Sequence, residues 1–280
     1  MKKLTKEDML RRWKLSPYLF VTECIGATPS NQQTKVLKKF GLGSKISIRS
    51  GHGTGKTALL AWAILWFMSL RKSCRIMCTA GTKTQLKVVL WPEIKIWMDK
   101  LPKEMRDDFI WQTEAIIKKS NPQDCFAVAR TARKEAPDAL QGFHHEHMMS
   151  IIDEASAVPD EVFEVSEGAL TKKNVICIMT GNPTRLSGEF YRSHTKDMKL
   201  WDLYHFSCLD TDMPQCEKSY AERMAQKWGT DSNIYKVRVL GEFPDQETNT
   251  FIPLHIIEAA SLREAPRQND DIMIWGVDPA

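Results

Sequence analysis

Apolar runs alternate with amphipathic and polar stretches along most of the chain. Residues 45–49 (KISIR), 75–79 (RIMCT), 148–152 (MMSII) and 175–180 (VICIMT) read as short buried strands, and 201–207 (WDLYHFS) as a further, more mixed one. Residues 114–118 and 125–130 are two β-like runs separated by a turn containing Ser120-Asn121-Pro122-Gln123, a hairpin signal. Helical patterns fill the intervals. Residues 5–40 predict two or three helices, broken at Ser16-Pro17 and by a loop at 26–31. Residues 56–70 predict a helix apolar on every side. Further helices are expected over about 84–101, 160–170, 217–228 and 232–237, with a short one in 253–261. Buried strands alternating with helices imply a largely parallel sheet covered on both faces.

Three of the strands end in polar or glycine-containing clusters: Ser50 to Gly55, Asp153-Glu154 and Thr180-Gly181-Asn182. Ligands of open α/β sheets bind beyond the carboxyl ends of strands, so these clusters should converge on one site. The first, Ser50-Gly51-His52-Gly53-Thr54-Gly55-Lys56-Thr57, fits the phosphate loop G-x-x-x-x-G-K-[ST] except that Ser50 replaces the first glycine. Glycines let backbone N–H groups turn inward around phosphates, and a helix amino terminus adds positive potential. Lys56 would reach the β- and γ-phosphates of ATP, and the Thr57 hydroxyl would bind Mg²⁺. A dinucleotide-binding G-x-G-x-x-G is excluded, because Lys56 occupies the position of its third glycine.

The apolar strand before Asp153-Glu154 places a carboxylate at its tip, beside the phosphate loop. Asp153 would hold Mg²⁺, and Glu154 would orient and deprotonate the attacking water, with Lys56 as its catalytic partner. Thr180-Gly181-Asn182 reads as a sensor of the γ-phosphate, against the alternative of an ordinary Asn-Pro turn. Gln32-Gln33, upstream on a short helix, offers an amide that can meet an adenine edge; a plain surface glutamine is the competing reading. The fold expected is α/β, a P-loop NTPase of ASCE type with a mostly parallel sheet flanked by helices. Residues 1–199 form its ATPase domain, and 200–265 a small linker or lid subdomain. Residues 272–280 (IMIWGVDPA) read as a new strand leading to an aspartate.

Charge and cysteines narrow the setting. Residues 1–120 carry 23 Lys/Arg against 9 Asp/Glu, whereas 121–280 carry 16 against 26. Such asymmetry suits a polyanion-binding surface, although solvated helix faces would give it too. The seven cysteines lack zinc-ligand spacing and fit a reducing cytoplasm. His144, His145 and His147 cluster, with no full set of Cys or carboxylate metal ligands accompanying them. The longest apolar stretch, 58–68, is too short to span a bilayer, which needs ~20 residues, so no membrane partner is expected.

The residues resemble a family, the large subunit of tailed-phage terminases. The resemblance rests on 49–57 (RSGHGTGKT), 151–156 (IIDEAS), 180–191 (TGNPTRLSGEFY), 239–244 (VLGEFP) and 275–280 (WGVDPA). It implies an ATP-driven motor that moves double-stranded DNA into a procapsid. The partners it implies are a terminase small subunit and a portal protein, in a homo-oligomeric ring, in the cytoplasm of a bacterial host. It makes Gln33 the adenine-contacting glutamine and Thr180-Gly181-Asn182 the motif coupling hydrolysis to movement. Residues 266–280 become the start of a truncated RNase H-like nuclease, with Asp278 as its first metal-binding aspartate. No DNA cleavage is expected from the chain, since that nuclease needs further acidic residues. Many members carry Arg before a Gly upstream of the acidic pair; here Gln141 precedes Gly142. The arginine-finger role would pass to Arg49, Arg130 or Arg133, or activation would take another route. Two rival readings are a helicase-like ATPase and a non-catalytic nucleotide-binding scaffold.

Overall fold

A computed structural model of the chain describes residues 5–131, 145–169, 174–210, 212, 218–246 and 260–262. Its strands are β1 (Lys45–Ser50), β2 (Cys74–Ala80), β3 (Phe109–Trp111), β4 (Ala115–Lys118), β5 (Cys125–Thr131), β6 (Met148–Asp153), β7 (Val175–Gly181) and β8 (Asp202–Phe206). Its α-helices are α1 (Lys6–Leu15), α2 (Pro17–Leu19), α3 (Asn31–Lys39), α4 (Lys56–Ser69), α5 (Trp91–Met98), α6 (Lys103–Arg106), α7 (Asp160–Ala169), α8 (Gly188–Ser193), α9 (Lys218–Trp228) and α10 (Asn233–Tyr235). The strands form one sheet in the order β3-β4-β5-β2-β6-β7-β1-β8. From β5 to β8 every neighbouring pair is parallel, and the expected hairpin supplies the antiparallel edge.

Helix α4 organises the packing. From Ala58 to Met68 every residue is buried, as its all-round apolar sequence requires. It lies against β2, β5, β6 and β7 on one side and α5 on another. The amino-terminal segment covers the remainder: Trp66 Nε1 donates to the Trp13 carbonyl at 2.8 Å, and Phe40 meets the Trp66 ring edge-on at 5.2 Å. At the carboxyl end, the Lys118 ammonium donates to the carbonyls of Met68 (3.2 Å) and Arg71 (2.9 Å), closing the helix with a cation. The opposite sheet face carries a smaller core of Met77, Ile152, Val162, Phe163, Cys177, Met179 and Phe190.

Two sequence expectations change. Residues 202–206, read as opening a smaller subdomain, form the edge strand beside β1, with Ser50 opposite Phe206. Residues 200–245 fall within the same compact unit as the sheet, and 246–280 form a second unit. The predicted helix over 84–101 is two pieces, a π-helical turn at Gln85–Leu90 followed by α5. Strand β3 goes unread in the sequence because three residues show no periodicity. Among the described residues no helix is long and apolar enough to cross a membrane.

Because Leu60 is fully buried in α4, Leu60→Ala should destabilise the protein by about 2–5 kcal/mol in urea unfolding.

Candidate active site

β1 delivers the chain to the phosphate loop, and α4 begins immediately beyond it. Gly53 (φ 68°) and Gly55 (φ 79°) adopt left-handed conformations that turn the backbone back on itself. Ser50, in place of the consensus glycine, is tolerated because its hydroxyl is buried within the loop. It donates to the Gly51 carbonyl at 2.9 Å and receives Thr54 Oγ1 at 3.2 Å. The position that excludes a side chain is the next one. A Cβ on Gly51 would stand 2.7 Å from both Cys208 Sγ and the Val239 carbonyl.

The loop is therefore braced by chain from much later in the sequence. The Gly51 amide donates to the Phe206 carbonyl (2.9 Å) and the His52 amide to the Arg238 carbonyl (2.8 Å). Gly241, at φ 72°, lies so near that a Cβ there would be 2.6 Å from the Gly51 nitrogen. Gln33 braces the loop from the other side. Its Nε2 donates to the Gly55 carbonyl at 2.9 Å, and its Oε1 accepts the Ser30 amide at 2.9 Å. Each end of that fully buried amide makes one of these bonds, so Gln33 holds the loop to the start of its own helix.

Lys56 is buried, and among the described residues its ammonium has the Gly51 carbonyl at 3.4 Å and Glu154 Oε1 at 4.0 Å. Thr57 follows in the first helical turn. The carboxylates arrive on β6, which β7 separates from β1, so the acidic tip sits one strand away from the loop rather than directly beside it. Asp153 is buried. Its Oδ1 accepts the Thr180 hydroxyl (2.9 Å) and the Glu154 amide (3.0 Å), and its Oδ2 accepts Gln85 Nε2 at 3.2 Å. Glu154 is the one described non-glycine residue with positive φ, at 49°. That conformation costs roughly 1–2 kcal/mol and aims the side chain back across β7 toward the loop. Burial raises its pKa and Asp153 adds to the rise, against the opposing pull of Lys56 and the Asn182 amide.

Asn182 joins the clusters. Its Nδ2 donates to the Ser50 carbonyl at 2.6 Å, its amide to Glu154 Oε2 at 3.4 Å, and its carbonyl accepts Ser156 Oγ at 2.5 Å. Gly181 lies against the Ala155 amide, where a Cβ would come within 3.0 Å. Gln85 and Ser156 are participants the sequence reading missed: Gln85 lies within the stretch read as a helix over about 84–101, and Ser156 follows the acidic pair directly.

The proposed arginines separate. The Arg49 guanidinium lies 5.9 Å over the Phe243 ring, and burial lowers its pKa while Glu242 opposes the shift. Arg130 is exposed near the carboxyl end of β5. Arg133, Gln141, Gly142, His144 and Asp278 lie outside the described residues. Among the described residues no group of three or more His, Cys, Asp or Glu could hold a metal ion. The donors at hand, the Thr57 hydroxyl and Asp153 Oδ2, are hard oxygens of the kind Mg²⁺ takes alongside phosphate and water. A buried, poorly paired ammonium beside a helix amino terminus is a cradle for an anion. A separate cavity of about 680 Å³ lies between α1 and β3, holding none of these residues.

A phosphate loop on β1, acidic residues on β6 and one strand between them define a P-loop NTPase of the ASCE class. A family model described as the helicase domain of the RNA cytidine acetyltransferase NAT10/TcmA matches residues 47–182. A curated "Probable terminase, large subunit" of Enterobacteria phage P7 is 28% identical over 256 residues, covering 85% of this chain and 50% of the relative. The chain thus spans about half the length of that relative. The large terminase ATPase domain of Thermus phage P74-26 superposes with a TM-score of 0.62 at 14% identity, covering 81% of this chain and 99% of that one. The large terminase of a second thermophilic bacteriophage, in complex with ADP, gives 0.58 at 16% identity, covering 78% and 54%. In sequence and in fold the chain is similar to the ATPase portion of terminase large subunits.

One titration belongs to this region. His194 packs between Phe190 and Phe243 with Nε2 3.0 Å from Ser47 Oγ, and burial, Arg49 and His205 push its pKa down to about 4. A depressed folded pKa makes the native state bind fewer protons than the unfolded chain, whose histidine titrates near ~6.5. Stability should therefore be full above about pH 6.5 and fall as pH drops toward 4, and His194→Gln should flatten that slope in thermal melts taken across the range.

Proposed function

We propose that this chain is the ATP-hydrolysing part of a motor that translocates double-stranded viral DNA into a procapsid. The observation that carries the reading is the Asn182 bridge. One side chain at the end of β7 bonds the start of the phosphate loop, while its backbone bonds the carboxylate that would act on water. A change at the γ-phosphate would disturb both contacts together and pass into the residues that follow Asn182.

The chemistry follows from the same groups. Backbone N–H groups of residues 53–57 and Lys56 would hold the ATP phosphates, and the Lys56 ammonium would exchange Glu154 for phosphate oxygens. Glu154 would then be free to take a proton from the attacking water, a task suited to a raised carboxylate pKa. Thr57 and Asp153 would hold Mg²⁺, which supplies charge neutralisation at the phosphates. Residues 200–265 act as the linker or lid in this reading, because Phe206, Arg238 and Gly241 already touch the loop. Arg130, exposed at the loop edge of the sheet, is the described arginine best placed to reach a neighbouring subunit in a ring.

In this reading the partners are double-stranded DNA, a small subunit and a portal, in the cytoplasm of a bacterial host. The basic excess in residues 1–120 suits phosphate contacts with little base readout, so DNA stimulation should fall steeply with salt. The matched helicase-domain model favours a second reading, a helicase-like ATPase, which a strand-separation assay distinguishes from a translocation assay.

Lys56→Ala should abolish nucleotide binding and turnover together. Glu154→Gln should retain nucleotide binding but lower steady-state ATP hydrolysis by about 10²–10⁴-fold. A wild-type protein without ATPase activity in the presence of DNA and portal would leave only a scaffold role.

A further inference from the structure

The Asp153 carboxylate has a partner that the proposed mechanism leaves idle. Its Oδ1 is saturated, with the Thr180 hydroxyl and the Glu154 amide on its two lone-pair directions. Its Oδ2 accepts one hydrogen bond, from Gln85 Nε2 at 3.2 Å, and so keeps one lone pair free. That lone pair is the remaining place where Asp153 can meet a cation or a cation-bound water.

The fold explains how Gln85 comes to be there. β2 is the neighbour of β6 on the side away from β7, with Ala80 opposite Asp153. The chain leaves β2 at Ala80, turns through Gly81–Thr84 and enters a π-helical turn at Gln85. Thr82 Oγ1 accepts the Gln85 amide at 3.2 Å, and Leu86 and Leu90 bury the turn in the main core. Gln85 itself is half-buried, with its amide directed at the carboxylate. A neutral donor there fixes the carboxylate's rotation without adding charge.

We infer that Gln85 is a positioning residue for the metal-binding carboxylate, selecting which lone pair of Asp153 faces the divalent cation that accompanies the nucleotide. This rests on the reading of Asp153 as a Mg²⁺-holding residue. Gln85 acts through Asp153 and touches neither nucleotide nor water. Outer partners of metal-ligating carboxylates are typically worth about 10–100-fold in metal affinity.

The test is a binding measurement, with no turnover required. Affinity for the fluorescent analogue mant-ADP is measured in EDTA and across a Mg²⁺ titration, for wild type, Gln85→Leu, Gln85→Glu and Asp153→Ala. Gln85→Leu should bind within about 2-fold of wild type in EDTA yet need about 10-fold more Mg²⁺ for half-maximal enhancement. Gln85→Glu, which keeps the size but replaces the donor by a second carboxylate, should also shift the Mg²⁺ midpoint while leaving EDTA binding alone. Identical Mg²⁺ titrations for wild type and Gln85→Leu would overturn the inference. So would equal weakening with and without Mg²⁺, which marks a purely structural contact. A Mg²⁺ response that survives in Asp153→Ala overturns the assignment of Asp153 itself, and the inference with it.

Discussion

Helix α4 cannot be left wet on any side, and most of the architecture answers to that constraint. A helix apolar all round needs cover all round. The sheet provides it on one face, α5 on another, and the amino-terminal helices close the rest through Trp13, Phe40 and Trp66. Once enclosed, α4 has little freedom to slide, and its amino terminus is fixed at the carboxyl edge of the sheet. The phosphate loop is the end of that rigid object. Its anion-binding geometry is set by hydrophobic packing well away from any phosphate.

Chemistry at strand tips was legible in the sequence; reach between strands was not. Ser50 to Thr57, Asp153, Glu154 and Asn182 announce themselves because each follows an apolar run that must be a strand. What they touch depends on strand order, which no single run encodes. Placing β7 between β1 and β6 makes Asn182 a bridge between loop and carboxylate. Placing β2 beyond β6 brings Gln85 onto Asp153. Gln33 was visible as a polar residue near the loop, but a side chain that caps its own helix and also bonds Gly55 leaves no trace in composition. β8 reads as mixed because it is an edge strand, half exposed, and nothing in its sequence names β1 as its neighbour.

The site also concentrates its unfavourable terms. Glu154 carries a left-handed backbone, and burial opposes its ionised form. Lys56 is buried with poor partners. A bound nucleotide phosphate answers the second, and partial relief of the first lies in Lys56 and the Asn182 amide. Such a site persists because α4 and the parallel strands around it over-determine the backbone.

The contact between Gly51 and Gly241 bears on how the protein is made. The chain emerges from a ribosome amino end first, and the strand, loop and helix of the nucleotide site are complete by residue 69. Their backbone partners at Phe206 and Arg238, and the glycine that closes against Gly51, come near the far end of the same compact unit. The Gly51 and His52 amides therefore gain their protein partners only after the later part of that unit has been synthesised.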